Sequence, residues 1–367
     1  MVFCKLLVIY FAAKVNYKMT DDELFIHRAI QLARLGEGKV SPNPMVGAVL
    51  VYQNQIIGEG WHSRYGGAHA EVNALASVAD KNREKIPFST LYVTLEPCCI
   101  FGKTPPCTDL ILRSAIKKVV IAAIDKTLTV NGKGVQILRN AGVEVVEIFL
   151  EAAREVSKYR NHFVQQQKPF VILKFARTED QKMGSNKQTV NISNDYTKRL
   201  SHKWRSEVDA ILIGSKTLRL DNPQLTNRFY FGKNPLRIVI IQNIDNQLFK
   251  SKIFQDNEKN LLITASRNTS NLPSNTEVLN LDFDEKLLEN LFSELGKRQI
   301  TSLLVEGGAF TLQQFIDQNL WDETRIFSSN FMDKNNNVLA PNVTGHLLHK
   351  FKIADNECTI LTNNFSK

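Results

Sequence analysis

The chain has 367 residues, a length that favours two domains over one hydrophobic core. Its 43% hydrophobic and 23% charged residues indicate a globular, enzyme-like protein, and its five cysteines, three of them clustered, are not a disulfide framework. The net charge of +9 permits phosphorylated substrates, but the absence of a Lys/Arg block argues against a nucleic-acid partner. Because clustered thiols outside a disulfide framework fit a reducing compartment, we expect a cytoplasmic protein.

The N-terminus has two possible starts. An apolar run at residues 6–13 follows Lys5 and looks like a short signal segment, but it is too short to span a bilayer. Met19 lies directly before Thr20 and Asp21, either of which can cap a following helix. We expect residues 1–18 to be a non-native extension, with the native start at Met19 rather than Met1 and no membrane association.

Helices and strands alternate over the first 150 residues. Predicted helices cover residues 23–35, 69–79, 108–114 and 134–141. Predicted strands cover residues 46–51, 55–60, 90–95, 119–123 and 143–147, the first two forming a hairpin around Gln53 and Asn54. This order predicts an α/β/α sandwich.

Within this region one imidazole and two thiols have the spacing of a catalytic zinc site. His69, Cys98 and Cys107 supply three ligands, and a zinc ion held by three protein ligands keeps a fourth position for water. Glu71 lies two residues after the histidine, where a carboxylate can move protons without binding the metal. The pattern is the signature of zinc-dependent nucleobase deaminases.

The two thiol ligands are separated by eight residues, whereas two is the common deaminase spacing. The insert carries Lys103 and Thr104 followed by two stiff prolines, which suits an anionic substrate group near the metal. A structural zinc site with Cys99 as fourth ligand is the alternative, but adjacent cysteines rarely chelate one ion with good geometry.

A second alternating series follows a polar helix predicted over residues 152–167 and a boundary at Lys168-Pro169. Its predicted strands cover residues 169–176, 209–214, 236–241, 260–265 and 302–306, and its predicted helices cover residues 195–206, 285–297 and 309–318. The last strand runs through Glu306 into Gly307-Gly308 and a helix, where backbone N–H groups can approach a phosphate. A simple tight turn is the alternative there.

Ordered motifs make the resemblance specific. In the first half they are Pro42-Asn43-Pro44-Met45-Val46-Gly47, Gly58-Glu59-Gly60-Trp61-His62, His69-Ala70-Glu71, Leu95-Glu96-Pro97-Cys98 and Gly102-Lys103-Thr104-Pro105-Pro106-Cys107. In the second half they include Lys174-Phe175-Ala176, Asp221-Asn222-Pro223-Gln224-Leu225-Thr226 and Val305-Glu306-Gly307-Gly308. From about residue 20 onward the chain resembles the bacterial bifunctional riboflavin-biosynthesis pyrimidine deaminase–reductases.

The resemblance implies a fold, two domains and two cofactors. We expect a cytidine-deaminase-like α/β/α sandwich at residues 19–165, followed by a dihydrofolate-reductase-like α/β domain at residues 166–367. The first would bind Zn²⁺ and deaminate 2,5-diamino-6-ribosylamino-4(3H)-pyrimidinone 5′-phosphate. The second would bind NADPH and reduce the ribosyl chain to ribityl by hydride transfer to C1′. The expected partner is this small phosphorylated pyrimidine, and we expect a homo-oligomer.

The same resemblance assigns site residues. In the deaminase half Asn43 and His62 would contact the pyrimidine and ribose, Lys103 and Thr104 the phosphate, and Glu71 would be catalytic. In the reductase half Asp221 would be the acid at the hydride-transfer site and Glu306 would hydrogen-bond substrate. The cofactor contacts would be Thr217, Gly307 and Gly308. The candidate contacts for the substrate phosphate are Arg205 and Arg228.

Three positions depart from the family pattern. Ile100 stands where a histidine is usual, Gln181 follows Asp180 where glycine is usual, and Asn191 replaces a tryptophan. Two alternatives stay open, of which these departures motivate the first and the long Pro-rich insert argues against the second. One is a protein with a single working domain, and the other is a tRNA or nucleoside deaminase with an accessory domain.

Overall fold

A computed structural model describes residues 19–102, 104–187, 192–245, 247–267, 272–330 and 336–363. The chain divides into two compact units, Met1–Lys158 and Tyr159–Lys367. Within the described ranges, no helix has both the length and the apolar character needed to cross a membrane.

The first unit is built on a five-stranded sheet with the order β2-β1-β3-β4-β5. Its strands are β1 (Gly47–Tyr52), β2 (Gln55–Trp61), β3 (Thr90–Val93), β4 (Lys118–Ile121) and β5 (Glu144–Glu147). β1 pairs antiparallel with both β2 and β3, whereas β3, β4 and β5 are parallel. The helices are α1 (Asp21–Ala33), α2 (Ala70–Ala76), α3 (Cys107–Arg113), α4 (Lys133–Asn140) and α5 (Glu151–Val156).

Two hydrophobic cores cover the two faces of this sheet. One contains residues from α2, α3 and α4, including Ala74, Ile111 and Leu138, and the other contains residues from α1 and α5, including Ile30 and Val156. The first unit is therefore the three-layer α/β/α sandwich that the sequence predicts.

Close packing of α2 on the sheet depends on a glycine. A Cβ atom on Gly60 of β2 would lie 2.2 Å from the backbone nitrogen of Ala74 in α2. Because no side chain fits in that space, the helix backbone approaches β2 directly. This contact fixes the helix that begins directly after His69.

The second unit contains a nine-stranded sheet with the order β11-β10-β9-β8-β12-β6-β13-β16-β15. These strands are β6 (Phe170–Thr178), β8 (Ala210–Gly214), β9 (Leu236–Ile240), β10 (Asn260–Thr264), β11 (Thr276–Asn280), β12 (Ser302–Val305), β13 (Glu323–Ser329), β15 (His346–Ile353) and β16 (Asn356–Thr362). The strands from β11 through β13 in that order are parallel, and β16 and β15 add antiparallel pairs at one edge. β7 (Lys182–Gly184) and β14 (Val338–Leu339) form a separate two-stranded sheet.

Helices again cover both faces of the large sheet. They are α6 (Lys158–Gln166), α7 (Asp195–Glu207), α8 (Ser215–Asp221), α9 (Leu287–Lys297) and α10 (Ala309–Asp317). One core contains α9 and α10 residues such as Leu291 and Phe315, and the other contains Trp204 of α7 and Leu218 of α8. The predicted fold class, an α/β sandwich followed by a second α/β domain, is confirmed.

Some observed elements differ from the predicted ones, while others form as predicted. The helix predicted over residues 152–167 is two helices, α5 and α6, separated at Ser157. The hairpin turn at Gln53 and Asn54 forms as predicted, with positive φ angles of 44° and 59°. The elements without a counterpart in the sequence-based prediction are the helix α8 and the strands β7, β11, β13, β14, β15 and β16.

A fully buried arginine fixes the chain around β9. Arg237 is 0% exposed. Its guanidinium donates to both oxygens of Asp256 at 2.6 and 2.8 Å and to the Asn260 side chain at 2.9 Å. It also donates to the carbonyl oxygens of Gln224, Ile253 and Glu258. One side chain therefore satisfies three backbone groups that would otherwise be buried without a partner.

We expect Arg237→Met to lower the free energy of unfolding of the second unit by about 3 to 5 kcal/mol, because it leaves Asp256 and these carbonyls unpaired. Urea denaturation followed by tryptophan fluorescence measures the loss. Arg219→Met is the matched control, since Arg219 pairs with Asp245 at 2.7 Å on the surface and should contribute less than about 1 kcal/mol. Equal losses in the two variants would contradict the assignment.

Candidate functional site

The structure brings the three predicted zinc ligands together. The nitrogen of His69 and the sulfurs of Cys98 and Cys107 lie within 4.8 Å of one another, the one such metal-compatible group in the part of the chain that is described. His69 directly precedes α2, and Cys107 is the first residue of α3. Cys98 lies in the loop that follows β3. Two helix N-termini and one strand end thus converge on a single point.

The donor set fits a tetrahedral zinc ion. His69 Nδ1 lies 3.3 Å from Cys107 Sγ and 3.4 Å from Cys98 Sγ. Standard Zn–N and Zn–S bond lengths at a tetrahedral angle place such ligand atoms about 3.6 Å apart. One imidazole and two thiolates are also the ligand types that zinc prefers, so both distances and chemistry are compatible with the metal.

Neighbouring groups hold two of these ligands in position. The Nε2 atom of His69 lies 3.3 Å from the hydroxyl of Thr104. If Nε2 carries the proton and donates it to this hydroxyl, Nδ1 keeps its lone pair for the metal. The backbone N–H of Cys107 donates to Cys98 Sγ at 3.3 Å. Thr104 therefore contacts a metal ligand, a role that its position in the sequence did not indicate.

Two acidic groups in this site have displaced pKa values. Hydrogen bonding from the Cys107 thiol, followed by that from His69, lowers the pKa of the Cys98 thiol to about 4 despite its burial. Glu71 is 3% exposed, and this burial together with the nearby Cys98 sulfur raises the pKa of its carboxyl. One sulfur is thus readily ionised, while the carboxyl beside it holds a proton more strongly than usual.

Asn43 and His62, the predicted pyrimidine and ribose contacts, bind each other. His62 Nδ1 lies 3.0 Å from the carbonyl oxygen of Ala68, and His62 Nε2 lies 3.1 Å from Asn43 Nδ2. Because a carbonyl only accepts, Nδ1 carries the proton and Nε2 accepts from the Asn43 amide. Both nitrogens of His62 are used, and burial lowers its pKa.

Two other residues of the long insert were singled out by the sequence. Lys103, the predicted phosphate contact, lies outside the described residues. Ile100, which departs from the family pattern, is 43% exposed. An exposed aliphatic side chain at this position supplies no hydrogen bond to a ligand.

A cleft of about 470 Å³ opens in the second unit and is lined by α8, which follows β8, and by the start of α10, which follows β12. Thr217, Asp221 and Gly308, three of the predicted site residues, line it. A Cβ atom on Gly308 would lie 3.0 Å from Thr217 Oγ1, and one on Gly307 would lie 2.9 Å from Thr311 Cβ. The glycines therefore keep the strand-to-helix turn close to the first turn of α10 and leave backbone N–H groups near the cleft.

Glu306, at the end of β12, is held by two cations. Arg205 donates to both of its oxygens at 2.8 and 2.9 Å, and Lys174 Nζ lies 3.7 Å away. Burial would raise the pKa of the Glu306 carboxyl, but Arg205 and Lys174 outweigh it and lower the pKa to about 2. Arg205 also donates to the carbonyl oxygen of Thr226, so its three guanidinium nitrogens all have protein partners.

Arg228, the other candidate phosphate contact, lies on the surface nearby. Its guanidinium lies 4.9 Å from the ring centroid of Phe229, which packs edge-on against His202. Burial and the charges of Arg205 and Arg228 lower the pKa of His202 to about 4, so this imidazole is neutral at pH 7. Lys174 lies within a family motif of the sequence but no role was predicted for it, and His202, which belongs to no local motif, was not predicted.

The remaining departures have different outcomes. Gln181 adopts a positive φ of 61°, a conformation in which glycine is strain-free, and it directly precedes β7. Asn191 lies outside the described residues.

Two family models match the chain. The cytidine and deoxycytidylate deaminase zinc-binding region matches residues 19–123, and the RibD C-terminal domain matches residues 169–332. The first match contains the three metal-ligand candidates, and the second contains Glu306 and all the residues that line the cleft except Val338. A deaminase domain and a reductase domain thus follow one another in the chain.

Individual proteins match most of the chain or its first unit alone. The riboflavin biosynthesis protein RibD of Aquifex aeolicus is 37% identical over 315 residues, which are 83% of this chain and 86% of that protein. The diaminohydroxyphosphoribosylamino-pyrimidine deaminase of Buchnera aphidicola is 49% identical over 142 residues, 39% of this chain and 92% of that protein. The crystal structure of a diaminohydroxyphosphoribosylaminopyrimidine deaminase/5-amino-6-(5-phosphoribosylamino)uracil reductase from Thermotoga maritima is also similar. It has 34% identity and a TM-score of 0.82, with 94% of this chain and 99% of that chain covered.

The order of the two domains, the length of the matches and the family models agree with the ordered motifs in the sequence. The predicted enzyme class, a deaminase joined to a reductase, is confirmed. The chain belongs to the RibD family of bifunctional riboflavin biosynthesis enzymes.

Proposed function

We propose that residues 19–165 hold a zinc ion and deaminate 2,5-diamino-6-ribosylamino-4(3H)-pyrimidinone 5′-phosphate. Residues 166–367 would then use NADPH to reduce the ribosyl chain of the product to ribityl. The observation that carries the first step is the convergence of His69, Cys98 and Cys107, with distances that suit zinc. The name of the similar Thermotoga maritima protein supports the substrate class.

Glu71 is the proposed proton carrier of the deamination. Zinc bound by the three ligands would supply a Lewis acid that makes water nucleophilic near neutral pH. The Glu71 carboxylate would take a proton from the attacking water and deliver it to the departing amino nitrogen. Its burial favours this exchange, because the raised pKa of the carboxyl makes it a stronger base than an exposed glutamate.

Asn43 is the proposed pyrimidine contact, oriented by His62. Since Asn43 Nδ2 donates to His62, its Oδ1 atom is left to accept a hydrogen bond from an amino group or ring N–H of the substrate. His62 would act through Asn43, because both of its nitrogens already have partners. Lys103 stays the proposed phosphate contact.

The cleft of the second unit is the proposed NADPH site. Thr217 and the turn at Gly307-Gly308 would hold the cofactor phosphates with backbone N–H groups and a hydroxyl. Asp221 lines the same cleft and would lie near the hydride-transfer position. Glu306 would accept a hydrogen bond from the substrate, and Arg228 would bind the substrate phosphate. Arg205, by its paired hydrogen bonds, would orient Glu306.

The proposed chemistry bears on the compartment. Two thiols that face one metal position would be lost to disulfide formation in an oxidising environment, and NADPH is a cytoplasmic reductant. We therefore propose that the enzyme acts in the cytoplasm. A homo-oligomeric state stays a prediction.

Mass spectrometry of the purified protein with the diaminopyrimidine ribosyl phosphate tests both activities. Without NADPH we expect a gain of about 1 Da, because water replaces ammonia. With NADPH we expect a further gain of about 2 Da from hydride and proton addition. A first step without the second would favour a single working domain, as the departures at Gln181 and Asn191 suggest.

We expect Glu71→Gln to abolish ammonia release, by at least about a hundredfold, because an amide cannot carry the proton. Zinc content should stay equal to that of wild type, since Glu71 is not a metal ligand. Ammonia assay and elemental analysis of the same sample measure both effects. Glu59→Gln is the control, as Glu59 pairs with Arg28 away from the ligands. Turnover retained in Glu71→Gln would overturn the assignment.

We expect Thr104→Val to weaken zinc binding about tenfold or more, because His69 Nε2 loses the hydroxyl that favours its protonation. Competition with a chromogenic chelator measures the affinity. Thr104→Ser keeps the hydroxyl and should bind zinc nearly as wild type does. If valine and serine behave alike, the hydroxyl has no role in metal binding.

We expect Glu306→Gln to lower kcat/KM of the NADPH-dependent step at least about tenfold, since Arg205 and Lys174 are left buried without an anionic partner. Deamination by the other unit should be unaffected. Steady-state assays of each half-reaction provide the comparison, and the exposed Glu289→Gln in α9 is the control. Equal reductase rates in the two variants would exclude a role for Glu306.

A further inference from the structure

The carboxylate of Glu96 is buried two residues before Cys98, the first cysteine of the metal site. Glu96 is 3% exposed. One of its oxygens accepts from the backbone N–H of Gly134 at 2.8 Å and of Val135 at 3.3 Å. The other accepts from the N–H of Gly132 at 2.9 Å and of Asp125 at 3.2 Å. Four backbone donors thus bind one side chain that is not an expected ligand or proton carrier.

These hydrogen bonds join two separate segments of the first unit. Gly134 and Val135 lie in the first turn of α4, where backbone N–H groups have no partner within the helix. The residue at the N-cap position is Gly132, which has no side chain to supply a cap. Glu96 therefore caps α4 from the loop after β3, more than thirty residues away in sequence.

The loop after β3 makes further contacts with the backbone around it. The Glu96 N–H donates to the carbonyl oxygen of Ala123 at 2.9 Å. A Cβ atom on Gly134 would lie 2.2 Å from the carbonyl oxygen of Pro97, so α4 packs directly on the residue before Cys98. Beyond it, the Cys98 carbonyl accepts from Thr108 N–H at 3.2 Å, and Cys98 Sγ accepts from Cys107 N–H.

We propose that Glu96 is a positioning residue for the metal site, which fixes the direction of Cys98 by binding its loop to the N-terminus of α4. This inference rests on the proposed zinc site. Cys98 is the one ligand of the three that lies in a loop rather than at the start of a helix. Its sulfur therefore takes its direction from the contacts of residues 96–98, of which the Glu96 carboxylate makes four.

Cobalt(II) substitution tests the proposal without relying on activity. Cobalt bound to thiolates gives charge-transfer absorption that reports the number and geometry of the sulfur ligands. We expect Glu96→Gln to lower cobalt and zinc affinity about tenfold and to change this absorption, because one amide group cannot accept four N–H bonds. A wild-type protein without thiolate bands would overturn the zinc site and this inference together.

A second variant separates positioning from helix capping. Gly134→Ala keeps the carboxylate and improves the helix propensity of α4, but its Cβ must displace the Pro97 carbonyl. We expect it to stay folded and to show the same direction of change in metal affinity and absorption as Glu96→Gln. If Glu96→Gln fails to fold, the metal affinity and absorption of Gly134→Ala still test the positioning role of this loop.

Leu138→Ala is the matched control. Leu138 is fully buried on the same helix and belongs to its hydrophobic core, so this variant destabilises α4 without touching residues 96–98. We expect a lower unfolding temperature with an unchanged cobalt spectrum. Unchanged metal affinity and spectra in both Glu96→Gln and Gly134→Ala, with normal wild-type bands, would overturn the role of Glu96 alone. Equal spectral changes in Leu138→Ala would also overturn it.

Discussion

The deaminase unit depends on bringing one imidazole nitrogen and two sulfurs within 4.8 Å of one another, from segments far apart in the chain. Because β2 and β3 both pair antiparallel with β1, they run in the same direction, and the segments that lead from their ends to α2 and α3 begin at the same edge of the sheet. Helix geometry then places Glu71 beside the metal position, two residues after His69 on the first turn of α2. The proposed proton carrier is thus positioned by the same helix that supplies a ligand.

The reductase unit meets a different constraint, the burial of charge. Glu306, Arg205 and Lys174 lie together with little exposure, and a buried carboxylate without cations would be costly. Two cations around one anion leave a local excess of positive charge, to which Arg228 adds. Such a surface suits an anionic substrate, which is consistent with a phosphorylated pyrimidine.

Much of this arrangement could be predicted from local sequence. The zinc ligands, the hairpin at Gln53-Asn54 and the glycine turn after β12 each have a signal within a few residues. Strands β13 and β16 were not predicted, because their stability comes from pairing with each other and with β6. The helix break at Ser157 was also missed. The contact of Thr104 with His69 and that of Glu96 with α4 require the folded backbone, so no spacing rule reveals them.

In both units, hydrogen bonds within the protein engage some polar atoms of the site side chains, and the remaining atoms are the ones available to a ligand. His69 Nε2 contacts the hydroxyl of Thr104. Both ring nitrogens of His62 have partners, the carbonyl of Ala68 and the amide of Asn43. All three guanidinium nitrogens of Arg205 donate to Glu306 or to the carbonyl of Thr226. The atoms that remain for a ligand are His69 Nδ1, which can bind a metal, and Asn43 Oδ1, which can accept a hydrogen bond. A motif identifies which side chains enter such a site, whereas their neighbours decide which of their atoms remain available. The atoms that this protein presents at its sites therefore depend on the residues that contact the site residues as well as on the site residues themselves.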